Sequence, residues 1–284
     1  MPDIKLPINA SSPEMTARTE RELRQHNTRH RVTERRTIVQ KLRQSLATNE
    51  LALHFQPVVS LTSGLAKGAE AMLRINHARR GLIPAAHFLP LVEQSDIIVE
   101  VGGWTLNAVC REIPRLPRHF CISLALSSRH LQSGKLVRHL LEALGSSGIA
   151  PERLELLITE AMMLDEDEES IFALKAVLGL GVRLGLNQFG TGYASLAPLK
   201  RLPFSTLRLA KSLAFDLCDD QAPNPMVQAA IEAGHALKCT VLADGVESDS
   251  QYRAFCRMGA DEGQGQFFGP ATSGAALARM FKAK

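Results

Sequence analysis

From residue 51 onward the chain alternates between two hydrophobic rhythms. Short, mostly apolar runs predict strands at Leu51–Val59, Ala66–Ile75, Phe120–Leu126, Leu154–Thr159, Val182–Asn187, Thr206–Leu209 and Thr240–Ala243. Between them, helical spacing of apolar positions predicts helices at Ile97–Glu112, Lys135–Leu144, Glu168–Leu178, Met226–Leu237 and Ser250–Met258, with a last one at Ser273–Phe281. Strand followed by helix over about 230 residues points to an α/β fold with parallel strands. A doubly wound sheet would also fit this rhythm. However, no GxGxxG follows the first strand, and polar residues collect at several strand ends. The expected architecture is therefore a modified (β/α)8 TIM-type barrel.

Upstream of the first strand the pattern changes. Residues 1–17 are Pro, Ser and polar residues and read as a mobile lead, while 18–47 are rich in Arg, Glu and Gln. Ile38, Leu42 and Leu46 recur at spacing four, as on one face of a helix. The expected division is a basic N-terminal segment over 1–37, with a solvated connecting helix, and a barrel over 38–284.

Composition narrows the classes. At 284 residues and 45% hydrophobic, the chain can build one large core. Residues 1–48 carry ten Lys/Arg and five Asp/Glu, so the overall +4 belongs to this segment and not to the barrel. The arginines there (Arg18, Arg21, Arg24, Arg29, Arg31, Arg35, Arg36) are interrupted by acids and amides and lack aromatic companions, which argues against nucleic-acid binding. No apolar run approaches the ~18 residues of a membrane span, and "MPDIKLPINASSPEM" lacks the apolar centre of a signal peptide. Five scattered cysteines without CxxC spacing fit reduced thiols in a cytoplasmic protein.

In a barrel of this kind the chemistry gathers at the C-terminal ends of the strands. In chain order those positions offer Gln56, Glu70 with Arg74, Ala125, Leu157, Asn187 with Gln188, Arg208, Asp244 and Gln264. Only two are acids, and two are arginines. Two carboxylates cannot neutralise a pair of divalent ions. Guanidiniums among amides suit direct, charge-assisted hydrogen bonds to a phosphate.

Six ordered stretches carry a resemblance: "HFQPVVSLTSGLAKGAEAMLRI", "GLIPAAHFLPLVEQSDII", "LELLITEAMM", "NQFGTGYASLAPLKRLPFSTLRLAKSL", "LADGVESDSQ" and "GADEGQGQFFGP". Together they resemble the EAL domain family of cyclic-di-GMP phosphodiesterases across residues 38–282. In active members the resemblance implies attack of water assisted by two metal ions, Mg or Mn. The signature triplet reads Glu70-Ala71-Met72, EAM in place of EAL, so its metal-binding glutamate is retained. The family's phosphate-binding arginine matches Arg74, and its two glutamines match Gln56 and Gln264. Its metal-binding asparagine falls on Ala125 and its metal-binding glutamate on Leu157. The paired aspartates fall on Asn187 and Gln188. The lysine near the catalytic water falls on Arg208, the aspartate two residues later on Ala210, and the general base on Asp244. Glu160, which the resemblance makes a brace for the following loop, and Glu247 are retained.

The expectation is a catalytically inactive EAL-like regulatory domain that needs no metal cofactor. Its candidate ligand is cyclic-di-GMP, held by Gln56, Glu70, Arg74, Arg208, Asp244 and Gln264. The alternative is a nucleotide-independent module for an unidentified protein partner, with the acidic stretch "MLDEDEES" (163–170) as one possible dock. Residual phosphodiesterase activity ranks last. A homodimer is implied by the resemblance only.

Overall fold

The computed structural model describes residues 33–164, 168–191, 201–215, 217 and 224–282. The basic stretch before residue 33, the centre of the acidic stretch, Cys218 and the end of the "FGTG" loop lie outside the described residues.

Eight strands close into a barrel. They are β1 (Leu51–Ser60), β2 (Ala66–His77), β4 (Cys121–Ala125), β5 (Leu154–Thr159), β6 (Arg183–Phe189), β7 (Thr206–Leu209), β8 (Thr240–Asp244) and β9 (Glu262–Gln264). Pairing runs β1–β2–β4–β5–β6–β7–β8–β9 and returns to β1. Two short strands, β3 (Gly81–Pro84) on β2 and β10 (Thr272–Ser273) on β1, extend the sheet outside the ring. The predicted strands agree with the observed ones to within about two residues. The eighth strand, Glu262–Gln264, was not among them, because "EGQ" has no apolar or β-branched residue to mark it.

One expectation needs correction. The strands are not all parallel: β1 is antiparallel to both β2 and β9. The cause is local. Only residues 61–65 separate β1 from β2, and a parallel connection needs a crossover of a dozen or more. A hairpin is the only solution, and Gln56 therefore reaches the mouth from mid-strand, in register with Glu70.

Outside the ring lie α2 (Leu89–Val92), α3 (Ile97–Glu112), α4 (Ser128–Gln132), α5 (Leu136–Ser147), α6 (Glu160–Leu164), α7 (Glu168–Gly179), α8 (Pro225–Ala236), α9 (Asp249–Met258) and α10 (Gly274–Lys282). Their stops are encoded locally. α9 opens on a capping box between Ser248 and Gln251 and ends at Gly259, with φ 84°. Asn224 caps α8 ahead of Pro225. The larger core lies between the ring and these helices, joining Phe120, Ile122, Leu140, Leu156, Leu184 and Val241 among others.

A further helix, α1, spans residues 33–47, so a boundary at 37/38 would cut it. It is not a solvated connector. Leu42 is fully buried in a second core with Leu73, Ile75, Phe88, Val92 and Ile98, and Ile38, Val39 and Leu46 pack beside it. Lys41 and Ser45 both donate to Glu50 Oε2, at 2.6 and 3.0 Å, which ties the helix to the start of β1.

The described cysteines carry no disulfide, and no described helix is long and apolar enough to cross a membrane. His87 lines the groove under α1, and His54 lies 3.3 Å from the Ala271 carbonyl.

A histidine pair locks α4 to α5. His130 Nε2 lies 2.9 Å from His139 Nδ1, and the two rings press on Gly102 and Gly103 of α3. A Cβ at Gly102 would sit 2.3 Å from His130 Nδ1, so only glycine allows this approach. Such a bond needs one ring nitrogen unprotonated. Burial, aided by the charge of His139, lowers the His130 pKa to about 4.

Two expectations follow from these packings. Leu42→Ala should cost about 2–5 kcal/mol in chemical denaturation, as α1 loses its buried anchor. Stability should also fall as pH drops from about 6.5 towards about 4, since the unfolded state takes up a proton that folded His130 refuses. The full loss is ~3 kcal/mol, and His130→Gln should flatten that limb of a pH–denaturation profile.

Candidate functional site

The polar residues of the mouth are set by strand alternation inside a closed ring. All four residues of β7 are buried. Thr206 and Arg208 point into the barrel, while Leu207 faces out beneath α8, close to Gly234. Register then aligns the partners. Gln56, Glu70 and Ser123 share one row across β1, β2 and β4, and Gln264 pairs with Asp244 across β9 and β8.

Arg208 is the centre of this arrangement, with a side chain only 1% exposed. Its Nη2 donates to Glu70 Oε2 at 2.8 Å and also to Gln264 Oε1. Its Nη1 lies 3.5 Å from Ser123 Oγ. Gln264 Nε2 donates in turn to Glu70 Oε2 at 2.8 Å and to Gln56 Oε1 at 3.1 Å. Gln56 Nε2 closes the chain at the Gly269 carbonyl, 3.3 Å away. Four residues expected at the mouth, Gln56, Glu70, Arg208 and Gln264, thus form one connected network. Both terminal nitrogens of Arg208 are turned to acceptors inside the wall, and its Nε is buried with no hydrogen-bond partner among the described residues.

The other expected residues are placed differently. Leu157 is 1% exposed and packs over Gly185, where a Cβ would come within 2.7 Å of Leu157 Cδ2. It is core, not a ligand. Ala125 is exposed at the tip of β4 and offers only a methyl group. At the tip of β6 the pairing with β7 is irregular between Leu186 and Phe189. There Asn187 Oδ1 accepts from the Gln188 N–H at 3.1 Å, and exposed Gln188 takes φ 59°, a left-handed conformation uncommon outside glycine and asparagine. Glu160 is buried at the start of α6, and its Oε1 accepts from the Gly190 N–H at 3.3 Å. Asp244 is buried, and its Oδ1 lies 3.9 Å from Lys211 Nζ. Burial, with Glu70 adding to it, raises its pKa despite Arg208 and Lys211.

A cavity of about 370 Å³ opens beside the network. Glu70, Met72, Arg74, Glu93, Ala125 and Lys211 are among its lining residues, and Arg208 is not. Arg74 Nε is buried with no hydrogen-bond partner among the described residues. Reading strand ends missed Lys211 and Glu93. Lys211 follows β7 by two residues, in a 3-10 turn that turns it back over the mouth, and this was the one signal available. Glu93 is brought in by the α2–α3 connection, where it accepts from the Ser128 N–H at 3.1 Å.

A closed eight-stranded barrel with its polar residues at one mouth defines an α/β barrel protein with a ligand site at the strand ends. The chain belongs to the EAL domain family, whose profile matches residues 39–271. It is 34% identical over 237 residues to the bifunctional diguanylate cyclase/cyclic di-GMP phosphodiesterase MucR of Pseudomonas aeruginosa, covering 82% of this chain and 34% of MucR. It is 33% identical over 231 residues to the cyclic di-GMP phosphodiesterase NbdA of the same organism, covering 80% of this chain and 29% of NbdA. The chain thus spans about a third of the length of these relatives. Among solved structures it is similar to the PaMucR phosphodiesterase in complex with c-di-GMP, with TM-score 0.79, 33% identity, and coverage of 85% of this chain and 99% of that one. The fold is also shared with the FimX EAL domain from Pseudomonas aeruginosa bound to c-di-GMP, with TM-score 0.75, 24% identity, and coverage of 83% and 96%.

The Arg208–Glu70 pair yields a stability expectation. Glu70→Gln leaves a buried guanidinium without its carboxylate, and breaking a buried pair in this way typically costs about 3–5 kcal/mol. Chemical denaturation measures it, and a double-mutant cycle with Arg208→Gln should show strong coupling between the two residues.

Proposed function

We propose that this barrel is a catalytically silent EAL domain that takes cyclic-di-GMP at its mouth without metal and without cleaving it. The observation that carries the reading is the pair between buried Arg208 and half-buried Glu70. The carboxylate of the signature triplet is held by a guanidinium, and positions 125 and 157 are an alanine and a packed leucine. Among the described residues no three His, Cys, Asp or Glu side chains are grouped to hold an ion. This donor set does not fit a pair of divalent cations, which need several anionic oxygens each. Hydrolysis would therefore lack the charge that activates water and steadies the leaving oxygen.

Binding is a separate matter. With Glu70 paired to Arg208 and Glu93 held by the Ser128 N–H, the cavity presents Arg74 and Lys211 as its cations. Both suit the two phosphates of a cyclic dinucleotide, with Arg74 offering a planar fork and Lys211 a mobile point charge. The ligand contacts proposed here are Arg74 and Lys211. The network of Gln56, Gln264 and Arg208 meets this cavity at Glu70, and Asp244 meets it at Lys211. The MucR complex, similar along nearly the whole of its chain, supports a nucleotide at this mouth.

A second reading, a module for a protein partner, draws on the outer face. A groove of about 1080 Å³ between α5 and α7 is lined by Leu136, Val137, Ile171 and Phe172, with Glu168 and Glu169 at its rim. Phe172 is 74% exposed there. Apolar surface rimmed by charge is a common mark of protein contacts.

Calorimetric titration of cyclic-di-GMP in EDTA, repeated with excess Mg²⁺ or Mn²⁺ and followed by analysis for linear product, tests the proposal. Saturable binding in EDTA with intact nucleotide is expected. Arg74→Ala should weaken it roughly ten- to hundredfold, the worth of one charge-assisted hydrogen bond. Absence of binding under both conditions would leave the groove reading, and cleavage with metal would overturn the silent-site reading.

A further inference from the structure

Arg208 has more partners than a lone structural ion pair requires. One buried guanidinium gathers acceptors from three other strands: Glu70 on β2, Ser123 on β4 and Gln264 on β9. Two more carboxylates act on it without a direct bond. Burial works against its charge, but Glu70, Asp244 and Glu155 outweigh that cost and raise its pKa. Glu155 lies buried in the barrel, where it accepts from Thr206 Oγ1 at 2.8 Å. Arg208 therefore stands between the carboxylates of the mouth and the carboxylate of the interior. A single fixed cation coordinating oxygens from several strands is the role a bound metal ion plays in other barrels.

We infer that Arg208 is a resident cation: its guanidinium holds the oxygens of the mouth together, as a divalent ion would, and by its charge keeps such an ion out. This deepens the metal-free reading of the same site and rests on it. Three physical points support the role. The guanidinium is charged at every accessible pH, so the assembly never releases its cation. It is covalently attached, so the mouth is preformed at any magnesium concentration. A divalent ion within a few ångströms of it would meet like charge in a low-dielectric interior. Lysine could supply charge, but not a planar fork that reaches Glu70, Gln264 and Ser123 together. Arg208 is thus a positioning residue, acting on ligand only through the acceptors it orders.

The test needs no nucleotide. Thermal unfolding of the full chain is followed in EDTA and with excess MnCl₂, for wild type, Arg208→Gln and Arg208→Lys. Wild type should unfold at the same temperature in both, within about 1 °C, because no site binds the ion. Arg208→Gln should unfold roughly 10 °C lower in EDTA. With Mn²⁺ at about 100 times its dissociation constant it should recover roughly 5–10 °C, the carboxylates having become free to hold metal. Arg208→Lys should fall between them and show no Mn²⁺ response. A purely structural arginine would lower stability in Arg208→Gln without any gain from Mn²⁺, and that result would overturn the inference. Stabilisation of wild type or of Arg208→Lys by Mn²⁺ would overturn it as well, and both arms stand if Arg208→Gln does not fold. Failure of wild type to bind cyclic-di-GMP in EDTA would instead remove the receptor reading and leave these melting results unaffected.

Discussion

A guanidinium enclosed in a closed barrel is the constraint on which the mouth depends. Arg208 is 1% exposed, and a bare buried charge would cost several kcal/mol. It must be met by an acceptor, and Glu70 meets it, with Gln264 and Ser123 taking further donors. The order then spreads outward. Gln264 is held by Glu70 and Gln56, and Gln56 by the Gly269 carbonyl. The β8–β9 connection is fixed in the same region, where the Val246 N–H donates to the Gln264 carbonyl at 3.0 Å. Gln56, Glu70, Arg208 and Gln264 are therefore one hydrogen-bonded unit around the charge of Arg208.

On the proposed reading, this arrangement separates two properties that a metal would join. A metal-dependent mouth uses the same ions to bind phosphate and to activate water. Here Arg74 and Lys211 line the cavity, while Arg208 is bonded within the wall. Leu157 is packed over Gly185, and exposed Ala125 offers only a methyl group at the rim. The family assignment gives the fold and the ligand class of its relatives. The proposed difference in chemistry rests on a handful of positions around one arginine.

The legibility of the fold followed the strength of its local signals. Leu154–Thr159 and Thr206–Leu209 are apolar runs with clear bounds, and they are found as expected. Glu262–Gln264 has no such signal, because it becomes a strand only when β1 and β8 are there to flank it. The docking of α1 was half legible. Ile38, Leu42 and Leu46 marked an apolar face, but only the second core under β2 and α3 shows what that face covers. At the site, strand-end counting picked out Gln56, Glu70, Arg208 and Gln264, which the structure joins in one network, and also Arg74 and Asp244. It overlooked Lys211, which belongs to a turn, and Glu93, which arrives from another part of the chain.

By itself, the sequence determined the alternation of elements, the family and the loss of acidic residues at the strand ends. These are properties of residue type and spacing along one chain. Tertiary structure decided which way Arg208 points and what it touches. All of "TLRL" is buried, so alternation alone could not say whether the barrel or the helices received the arginine. Closure of the ring answers it, because only inside the barrel do residues from β2, β4 and β9, as many as 138 positions away in sequence, offer enough oxygen to accept that charge.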